Sequence, residues 1–204
     1  MPRERDLRLV PAPAPRAIDD RADEDLMVAA AAGSRDAFGV LVARYLGRLT
    51  GFCAKLVADQ RVAEELAQDV LLAVWRVRRD YRPEKPFRVF LFTIASNRCR
   101  NHARSWRRGL RWFGRRGDAE ALDELPALDA GQLDRVLTQE RQRRVRVALA
   151  ALPARAREVL LLRFEQDLAH AEIAQITGRP EATVRSQVFH ALRKLQRVLE
   201  EDAS

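Results

Sequence analysis

Apolar residues recur every three or four positions along most of the chain, which is the spacing of one face of an α-helix. This pattern runs from Phe38 to Leu56, and it returns in a second segment from Arg61 to Arg79. A third segment, from Phe87 to Trp106, begins apolar and becomes rich in arginine. Strand-like alternation is scarce and helix-forming residues dominate, so the pattern predicts an all-α protein.

The C-terminal part of the chain has the pattern of a helix-turn-helix motif. A short helix is predicted over Ala169–Thr177, followed by a tight Gly-Arg-Pro turn at 178–180 and a longer helix that starts near Glu181. Ala174 and Val184 flank the turn at a spacing that lets the two helices pack together. Because this motif lays its second helix in the DNA major groove, it predicts DNA as a partner.

The second helix of this motif is predicted to have two different faces. The stripe expected to be buried contains Val184, Val188, Ala191, Leu192 and Leu195. The opposite face, expected to reach DNA, contains Arg185, Ser186, Phe189, His190 and Arg193. Phe189 could contact a thymine methyl or a sugar. The alternative is that its ring packs on a neighbouring helix.

Changes in composition divide the chain into two helical domains. Prolines among alanines and charges predict a disordered leader at 1–22. A helical domain is expected at 23–107, with a proline-containing loop from Asp80 to Pro86. Residues 108–138 are predicted to be a flexible linker, first with arginines and aromatics and then acidic. Its aromatic–arginine part could stack on bases or cover one domain.

The second helical domain is expected at 139–201. Two helices should precede the helix-turn-helix motif, from Gln139 to Leu152 and from Ala154 to Glu165. Pro153 separates them, because proline lacks a backbone N–H and usually ends a helix.

Charge and composition limit the possible functions. The net charge is +8 and the pI about 10.5, which favours polyanionic partners such as nucleic acid. No apolar run is long enough to span a bilayer, so membrane insertion is not expected. The N-terminus has no apolar signal core, which predicts a cytoplasmic protein.

Catalytic and metal sites are not indicated by the sequence. The histidines are scattered, and no phosphate-binding glycine loop or nucleophile elbow is present. We therefore expect no metal, no cofactor and no enzymatic activity. Cys53 and Cys99 fall at apolar helix positions, so they are expected to be buried free thiols. A redox disulfide between them is the alternative.

Several segments together carry a family resemblance. AEELAQDV at 63–70, followed by Trp75, resembles a helix of bacterial sigma factors, and FRVFLFTIASNR at 87–98 resembles the next helix of that family. LPARAREVLLLRF and AEIAQITGRPEATVRSQVFHALRKL resemble its C-terminal promoter-binding domain. The chain thus resembles a sigma-70 family factor of the extracytoplasmic-function group, which keeps only sigma regions 2 and 4. The resemblance covers roughly residues 23–107 and 138–200.

The resemblance implies a sigma factor that binds core RNA polymerase, directs promoter recognition and helps to open the DNA. Region 2, a helical bundle, would bind the β′ clamp and the −10 element. Region 4, with the helix-turn-helix motif, would bind the β flap and the −35 element. Many such factors are held inactive by an anti-sigma factor, which is therefore an expected partner.

The same resemblance implies three sets of contact residues. The polymerase contacts would be Gln68, Asp69, Leu72, Trp75 and Arg76, although Trp75 could instead pack on the preceding helix. The −10 contacts would be Tyr81, Phe87, Asn97, Arg98, Asn101 and Arg104, with the two asparagines on one helical face. The −35 contacts would be Thr183, Arg185, Ser186, Phe189, His190 and Arg193.

The chain also departs from the family pattern at several positions. Phe90 stands where tryptophan is usual, and Ala182 replaces a common glycine. Gln187 and His190 stand where arginine is frequent, so the −35 sequence that this chain would bind stays open.

Two other interpretations compete with a sigma factor. The first is an autonomous helix-turn-helix regulator that binds an operator without polymerase, although residues 23–107 show neither a receiver pattern nor a heptad seam. The second is a nucleic-acid-processing enzyme with a helical DNA-binding tail, for which the sequence offers no metal-ligand set.

Overall fold

The computed structural model describes residues 20–113, 144–145 and 147–201, with side chains as far as 105 in the first range and as far as 200 in the last. All regular elements in these ranges are helices, which confirms the all-α prediction. The α-helices are α1 (Asp23–Ala31), α2 (Arg35–Val57), α3 (Gln60–Arg76), α4 (Phe87–Phe113), α5 (Ala154–Leu160), α6 (His170–Thr177) and α7 (Glu181–Glu201). A 3₁₀ turn spans Arg78–Asp80, and a π-helical turn spans Leu161–Glu165.

The boundaries of α2 and α3 follow from local capping chemistry. Gly33, with φ at 108°, separates α1 from α2, and this left-handed conformation is costly for other residues. The Ser34 hydroxyl accepts a hydrogen bond from the Ala37 N–H at 3.2 Å. At the start of α3, the Asp59 carboxylate accepts one from the Val62 N–H at 2.9 Å. Such caps satisfy the donors that the first turn of a helix leaves unpaired.

The predicted apolar stripe of α2 forms the centre of the N-terminal bundle. Leu41, Leu49 and Phe52 are buried there, and Phe52 meets Phe92 of α4 edge to face at 5.2 Å between ring centroids. Aromatic pairs prefer this geometry to a face-to-face sandwich. Leu46, which lies within the predicted apolar segment from Phe38 to Leu56, is instead exposed.

Helix α1, which the sequence pattern did not predict as a separate element, holds the start of α4 in place. The Glu24 carboxylate accepts a hydrogen bond from the Phe87 N–H at 2.9 Å, which caps α4 from a distant part of the chain. The Asp23 carboxylate accepts hydrogen bonds from Arg44 and from the Tyr45 hydroxyl. Burial and this bond raise the pKa of Tyr45 above its ordinary value.

Helix α4 is longer than the sequence predicted. It was expected to end at Trp106, with a linker from residue 108, but it continues to Phe113. Gly109 does not end it, because one interior glycine costs only about 1 kcal/mol and the neighbouring arginines and leucine favour a helix. The leader at 1–19, the rest of the linker and the predicted helix start at Gln139 lie outside the described residues.

The C-terminal half has the predicted helix-turn-helix. Residues 147–150 are helical, and α5, α6 and α7 follow in the expected order. Gly178 ends α6 in the left-handed conformation with φ at 67°. Ile173, Val184 and Val188 are buried between α6 and α7, which confirms the packing predicted across the turn.

The two halves of the molecule pack against each other. Their buried residues form one continuous cluster, and α4 lies next to α6. Within the described ranges, no helix combines the length and the apolar composition needed to cross a membrane.

Candidate nucleic-acid and polymerase interfaces

Helix α7 presents the predicted polar face to solvent. Thr183, Arg185, Ser186, His190 and Arg193 are all exposed. The buried stripe is confirmed at Val184, Val188 and Ala191, whereas Leu192 and Leu195 are only partly buried. A helix that is anchored on one side and polar on the other is what insertion into a groove requires.

Phe189 is the exposed apolar residue of this face. Its side chain is 55% exposed, so the alternative that it packs on a neighbouring helix is wrong. The Arg193 guanidinium lies 5.5 Å from the centroid of its ring, and the His190 ring stands edge-on at the same distance. These neighbours hold an apolar surface within a basic face, an arrangement suited to contact with a base or a sugar.

A second polar face lies on α4 and borders a cleft between the two halves. Asn97 and Asn101 are exposed one turn apart, and Arg98 and Arg104 are exposed near them. The Asn97 Oδ1 accepts a hydrogen bond from Arg100 at 2.6 Å. The structure therefore brings these four predicted residues together.

The cleft has a volume of about 730 Å³. Asn97, Asn101 and Arg104 line it from α4, whereas Arg155 and Arg179 line it from the C-terminal half. The α4 face therefore meets a second set of basic side chains across the cleft.

Two of the predicted −10 residues are buried in the structure. Tyr81 is 5% exposed and Phe87 is fully buried, because both belong to an aromatic cluster with Phe90. The Tyr81 hydroxyl donates a hydrogen bond to the Lys85 carbonyl at 2.8 Å. Burial and the charge of Glu24 raise the pKa of Tyr81 to about 12. In this arrangement neither ring is open to solvent, and the hydrogen bond of Tyr81 holds the loop before α4.

The predicted polymerase contacts share one outer face of α3. Gln68, Asp69 and Arg76 are exposed, and Leu72 is 52% exposed. Trp75 is half-buried, with its ring 5.0 Å from that of Phe38 on α2, as the packing interpretation predicted.

The two cysteines are buried free thiols, as expected. Their sulfur atoms are 3.6 Å apart between α2 and α4. The hydrogen bond between them lowers the pKa of Cys53 and raises that of Cys99. Among the described residues, no cluster of histidine, cysteine or acidic side chains could hold a metal ion.

Comparison with known proteins identifies both halves. A family model for Sigma-70 region 2 matches residues 41–109, and one for Sigma-70, region 4, matches residues 142–195. The ECF RNA polymerase sigma factor RpoE of Cereibacter sphaeroides is 31% identical over 180 residues, which cover 87% of this chain and 95% of that protein. The chain belongs to the sigma-70 family.

Other sigma factors agree with this assignment. The RNA polymerase sigma-H factor of Pseudomonas aeruginosa is 30% identical over 188 residues, 87% of this chain and 94% of that protein. The structure of CnrH in complex with the cytosolic domain of CnrY superposes with a TM-score of 0.66 at 27% identity, covering 89% of this chain and 99% of CnrH. This chain is therefore a sigma factor of the extracytoplasmic-function group, a transcription-initiation factor. The comparisons support this interpretation and not the autonomous regulator.

The structure also brings together charged residues that the sequence did not single out. Arg88 of α4 pairs with Glu172 of α6, and Arg100 pairs with Glu158 of α5. The partners in the first pair are 84 residues apart in the chain. No local pattern connects positions at that separation, so only the fold identifies them.

Proposed function

We propose that this sigma factor binds core RNA polymerase through α3 and recognises its promoter through two separate helices. In this assignment the exposed part of α4 binds the −10 element, and α7 binds the −35 element. The proposed domains are region 2 at 23–107 and region 4 at 139–201. The observation that carries the proposal is that α3, α4 and α7 each present the side chains expected of a sigma factor on an exposed face.

The −10 assignment rests on Asn97 and Asn101. A base that has left the stack offers its Watson–Crick edge to an amide, and two amides one turn apart can contact the same segment of single strand. Arg98 and Arg104 flank them, and guanidinium groups bind backbone phosphates. Tyr81 and Phe87 support this face from the core instead of contacting the base.

The −35 assignment rests on α7. Arg185 and Ser186 are exposed near its N-terminal end, where a recognition helix contacts base edges. Arg193 and His190 lie further along the same face, beside Phe189.

The polymerase assignment rests on the outer face of α3. Leu72 offers an apolar centre, and Gln68, Asp69 and Arg76 supply polar groups around it. Protein interfaces commonly have this arrangement of an apolar core with a polar rim. We assign α3 to the β′ clamp, and region 4 to the β flap.

Control by an anti-sigma factor belongs to the proposal. It is supported by the family resemblance and by CnrH, which was solved in complex with the cytosolic domain of CnrY. The protein would act by binding rather than by catalysis. Because transcription takes place there, its site of action would be the bacterial cytoplasm.

Run-off transcription tests the proposal. The assay would combine core polymerase from the native host with a library of promoters, with and without this protein. We expect protein-dependent transcripts, and we expect Asn97→Ala and Arg185→Ala each to reduce them strongly. Arg61→Ala is the matched control, because Arg61 is exposed on α3 and, among the described residues, pairs with Glu65 of its own helix. No transcript, together with salt-sensitive operator binding by the protein alone, would favour an autonomous regulator.

A further inference from the structure

A polar contact between Arg179 and Gln187 borders the face of α7 that we assign to the −35 element. Arg179 lies in the turn between α6 and α7, and its guanidinium donates a hydrogen bond to the Gln187 Oε1 at 2.7 Å. Both side chains are partly exposed. The pair is absent from the −35 contacts expected from the sequence, because Arg179 lies outside the helix and no helical spacing relates it to Gln187.

The turn fixes the position from which the Arg179 side chain extends. Gly178 is in the left-handed conformation, with φ at 67°, and the Arg179 N–H donates to the Ala174 carbonyl at 3.1 Å. Pro180 follows, and its ring restricts the backbone further. The Pro180 carbonyl accepts a hydrogen bond from the Val184 N–H at 3.1 Å. Because the backbone is held on both sides, little conformational freedom remains to be lost when Arg179 binds a partner.

The contact also fixes the orientation of the Gln187 amide. Arginine carries only hydrogen-bond donors, so the amide turns its oxygen toward Arg179 and its NH₂ group away. The hydrogen bond uses only one of the N–H donors of the guanidinium. The two side chains together therefore offer several donors and one positive charge. A matching partner is an anion that only accepts hydrogen bonds, such as a phosphate.

The charge of Arg179 is not neutralised within the described part of the chain. The adjacent Glu181 pairs with Arg185 at 2.9 Å, and Glu158, which lines the same cleft as Arg179, pairs with Arg100. No carboxylate among the described residues lies within ion-pair distance of Arg179. The guanidinium is therefore available to an external anion.

The position of Gln187 on α7 favours a contact with the DNA backbone over a contact with a base. Gln187 lies one turn after Thr183 and one turn before His190, at the edge of the polar face beside the buried stripe. In a major groove, the centre of a recognition helix faces the base edges, and its margins face the groove walls that carry the phosphates. A glutamine that reads adenine also needs its amide oxygen as an acceptor, and here that oxygen already accepts from Arg179.

We propose that Arg179 is a further DNA contact of this sigma factor, in which its guanidinium, positioned by Gln187, binds a backbone phosphate beside the −35 element. This inference rests on the proposed function of α7. Gln187 acts through Arg179 as a positioning residue. An arginine at position 187 would extend beyond the glutamine by roughly the length of the observed hydrogen bond, so it would bring a guanidinium to the same place. The turn thus supplies a charge that an arginine at position 187 would carry on the helix itself.

Binding of the holoenzyme to the promoter recovered in the transcription assay, measured at several salt concentrations, tests this contact. Arg179→Ala should weaken binding by about tenfold, because a hydrogen-bonded charge is lost. It should also reduce the salt slope by about 0.9, since one phosphate contact disappears. Gln187→Ala keeps the charge but frees the arginine side chain, so binding should weaken by only about threefold, with the salt slope nearly unchanged.

The matched control is Arg197→Ala, which removes the same charge from an exposed position of α7. Arg197 lies about 15 Å beyond Gln187 along the helix axis, so both the affinity and the salt slope should stay at wild-type values. The melting temperature of Arg179→Ala should also match the wild type, because the N–H bond of this residue to Ala174 remains. A loss of DNA binding in that variant would then not reflect a loss of folding.

Relocation of the charge distinguishes a phosphate contact from a structural role of the turn. The double variant Arg179→Ala with Gln187→Arg carries the guanidinium on α7 and leaves none in the turn. It should recover the wild-type salt slope and bind the promoter within about twofold of the wild type. A folded double variant that kept the reduced slope of Arg179→Ala would overturn the proposed location of the charge.

Uncharged phosphate analogues identify the group that Arg179 contacts. Promoter duplexes would carry one methylphosphonate at a time along the −35 element. The wild-type holoenzyme should lose about tenfold in affinity at one position, and Arg179→Ala should lose nothing further there. Equal losses for both proteins at every position would overturn the phosphate contact.

Two other outcomes separate this inference from the proposed function. A loss in Arg179→Ala that depended on the identity of a single −35 base pair would overturn the phosphate contact in favour of a base contact, and would leave the proposed function standing. A wild-type holoenzyme that bound no promoter would overturn the proposed function, and the phosphate contact with it.

Discussion

The polymerase assignment can be tested by comparing Leu72 with Leu71, a leucine on the same helix that differs from it in burial. Leu72 is 52% exposed on the outer face of α3, whereas Leu71 is 6% exposed and belongs to the core. Both residues lie on the same helix and both can be shortened to alanine. If α3 is the polymerase-binding face, Leu72→Ala should weaken binding with little effect on folding, and Leu71→Ala should mainly destabilise the fold.

The magnitudes follow from these exposures. Complete burial of a leucine side chain contributes about 1.5–3 kcal/mol, and about half of the Leu72 side chain is still available to a partner. Burial of that half in the complex is therefore worth roughly 1 kcal/mol, which corresponds to a loss of about fivefold in affinity for Leu72→Ala. Leu71→Ala removes buried carbon atoms and leaves a cavity, so it should lower the free energy of unfolding by about 2–5 kcal/mol.

Two measurements on the Leu72→Ala and Leu71→Ala variants test the polymerase assignment. Chemical denaturation gives the free energy of unfolding, which should change by less than about 0.5 kcal/mol in Leu72→Ala. Titration of labelled core polymerase gives the affinity for each folded variant. The polymerase assignment would be refuted if Leu72→Ala bound core polymerase within twofold of the wild type while remaining fully folded. The assignment would also be refuted if affinity followed stability, so that the folded Leu71→Ala variant lost as much affinity for core polymerase as Leu72→Ala.

The remaining predictions concern Arg185 of α7, the thiols of Cys53 and Cys99, and the hydroxyl of Tyr81. Arg185→Ala should leave the melting temperature unchanged, because Arg185 is exposed and its hydrogen-bond partner in the described part of the chain is Glu181 of its own helix. In promoter binding by the holoenzyme, loss of a contact to a base edge should cost about 1–3 kcal/mol and weaken discrimination at that base pair. Cys53 and Cys99 should react with a thiol reagent only as the protein unfolds, and rapid labelling of the native protein would contradict their burial. The raised pKa of Tyr81 means that the unfolded chain loses this proton first, from about pH 10, so the free energy of unfolding should fall between pH 10 and 12 by up to about 1.4 kcal/mol per pH unit. Tyr81→Phe should remove this contribution and leave the one from Tyr45, whose pKa is also raised, and a slope equal to that of the wild type in denaturation curves would contradict the role of Tyr81.

The helices and the exposed face of α7 were predictable because their signals are local. The spacing of Val184 and Val188 sets the buried side of α7, and Gly178 marks the turn before it. The same helical spacing then places Arg185 and Phe189 on the exposed face, and both are exposed in the structure. Such predictions need only the geometry of one helix.

The proposed −10 face was only partly predictable, because burial depends on partners that are distant in sequence. Asn97 and Asn101 are exposed as expected, but Tyr81 and Phe87 are buried by one another and by α1. Aromatic residues of this kind serve equally well in a core or in a stack of bases, and the sequence alone does not separate the two roles. The pairing of Arg88 with Glu172 has no local signal at all.

The packing of α1 determines where a fragment of this protein can begin. The conserved sequence profile of region 2 begins at residue 41, inside α2, yet Leu26 and Met27 of α1 are fully buried against the bundle, and Glu24 caps α4. A fragment trimmed to the profile would lose that cap and expose the aromatic cluster behind the −10 face. A fragment meant to keep this packing should therefore begin before α1, and a protease that removed α1 should weaken the start of α4 without removing any of the proposed DNA contacts.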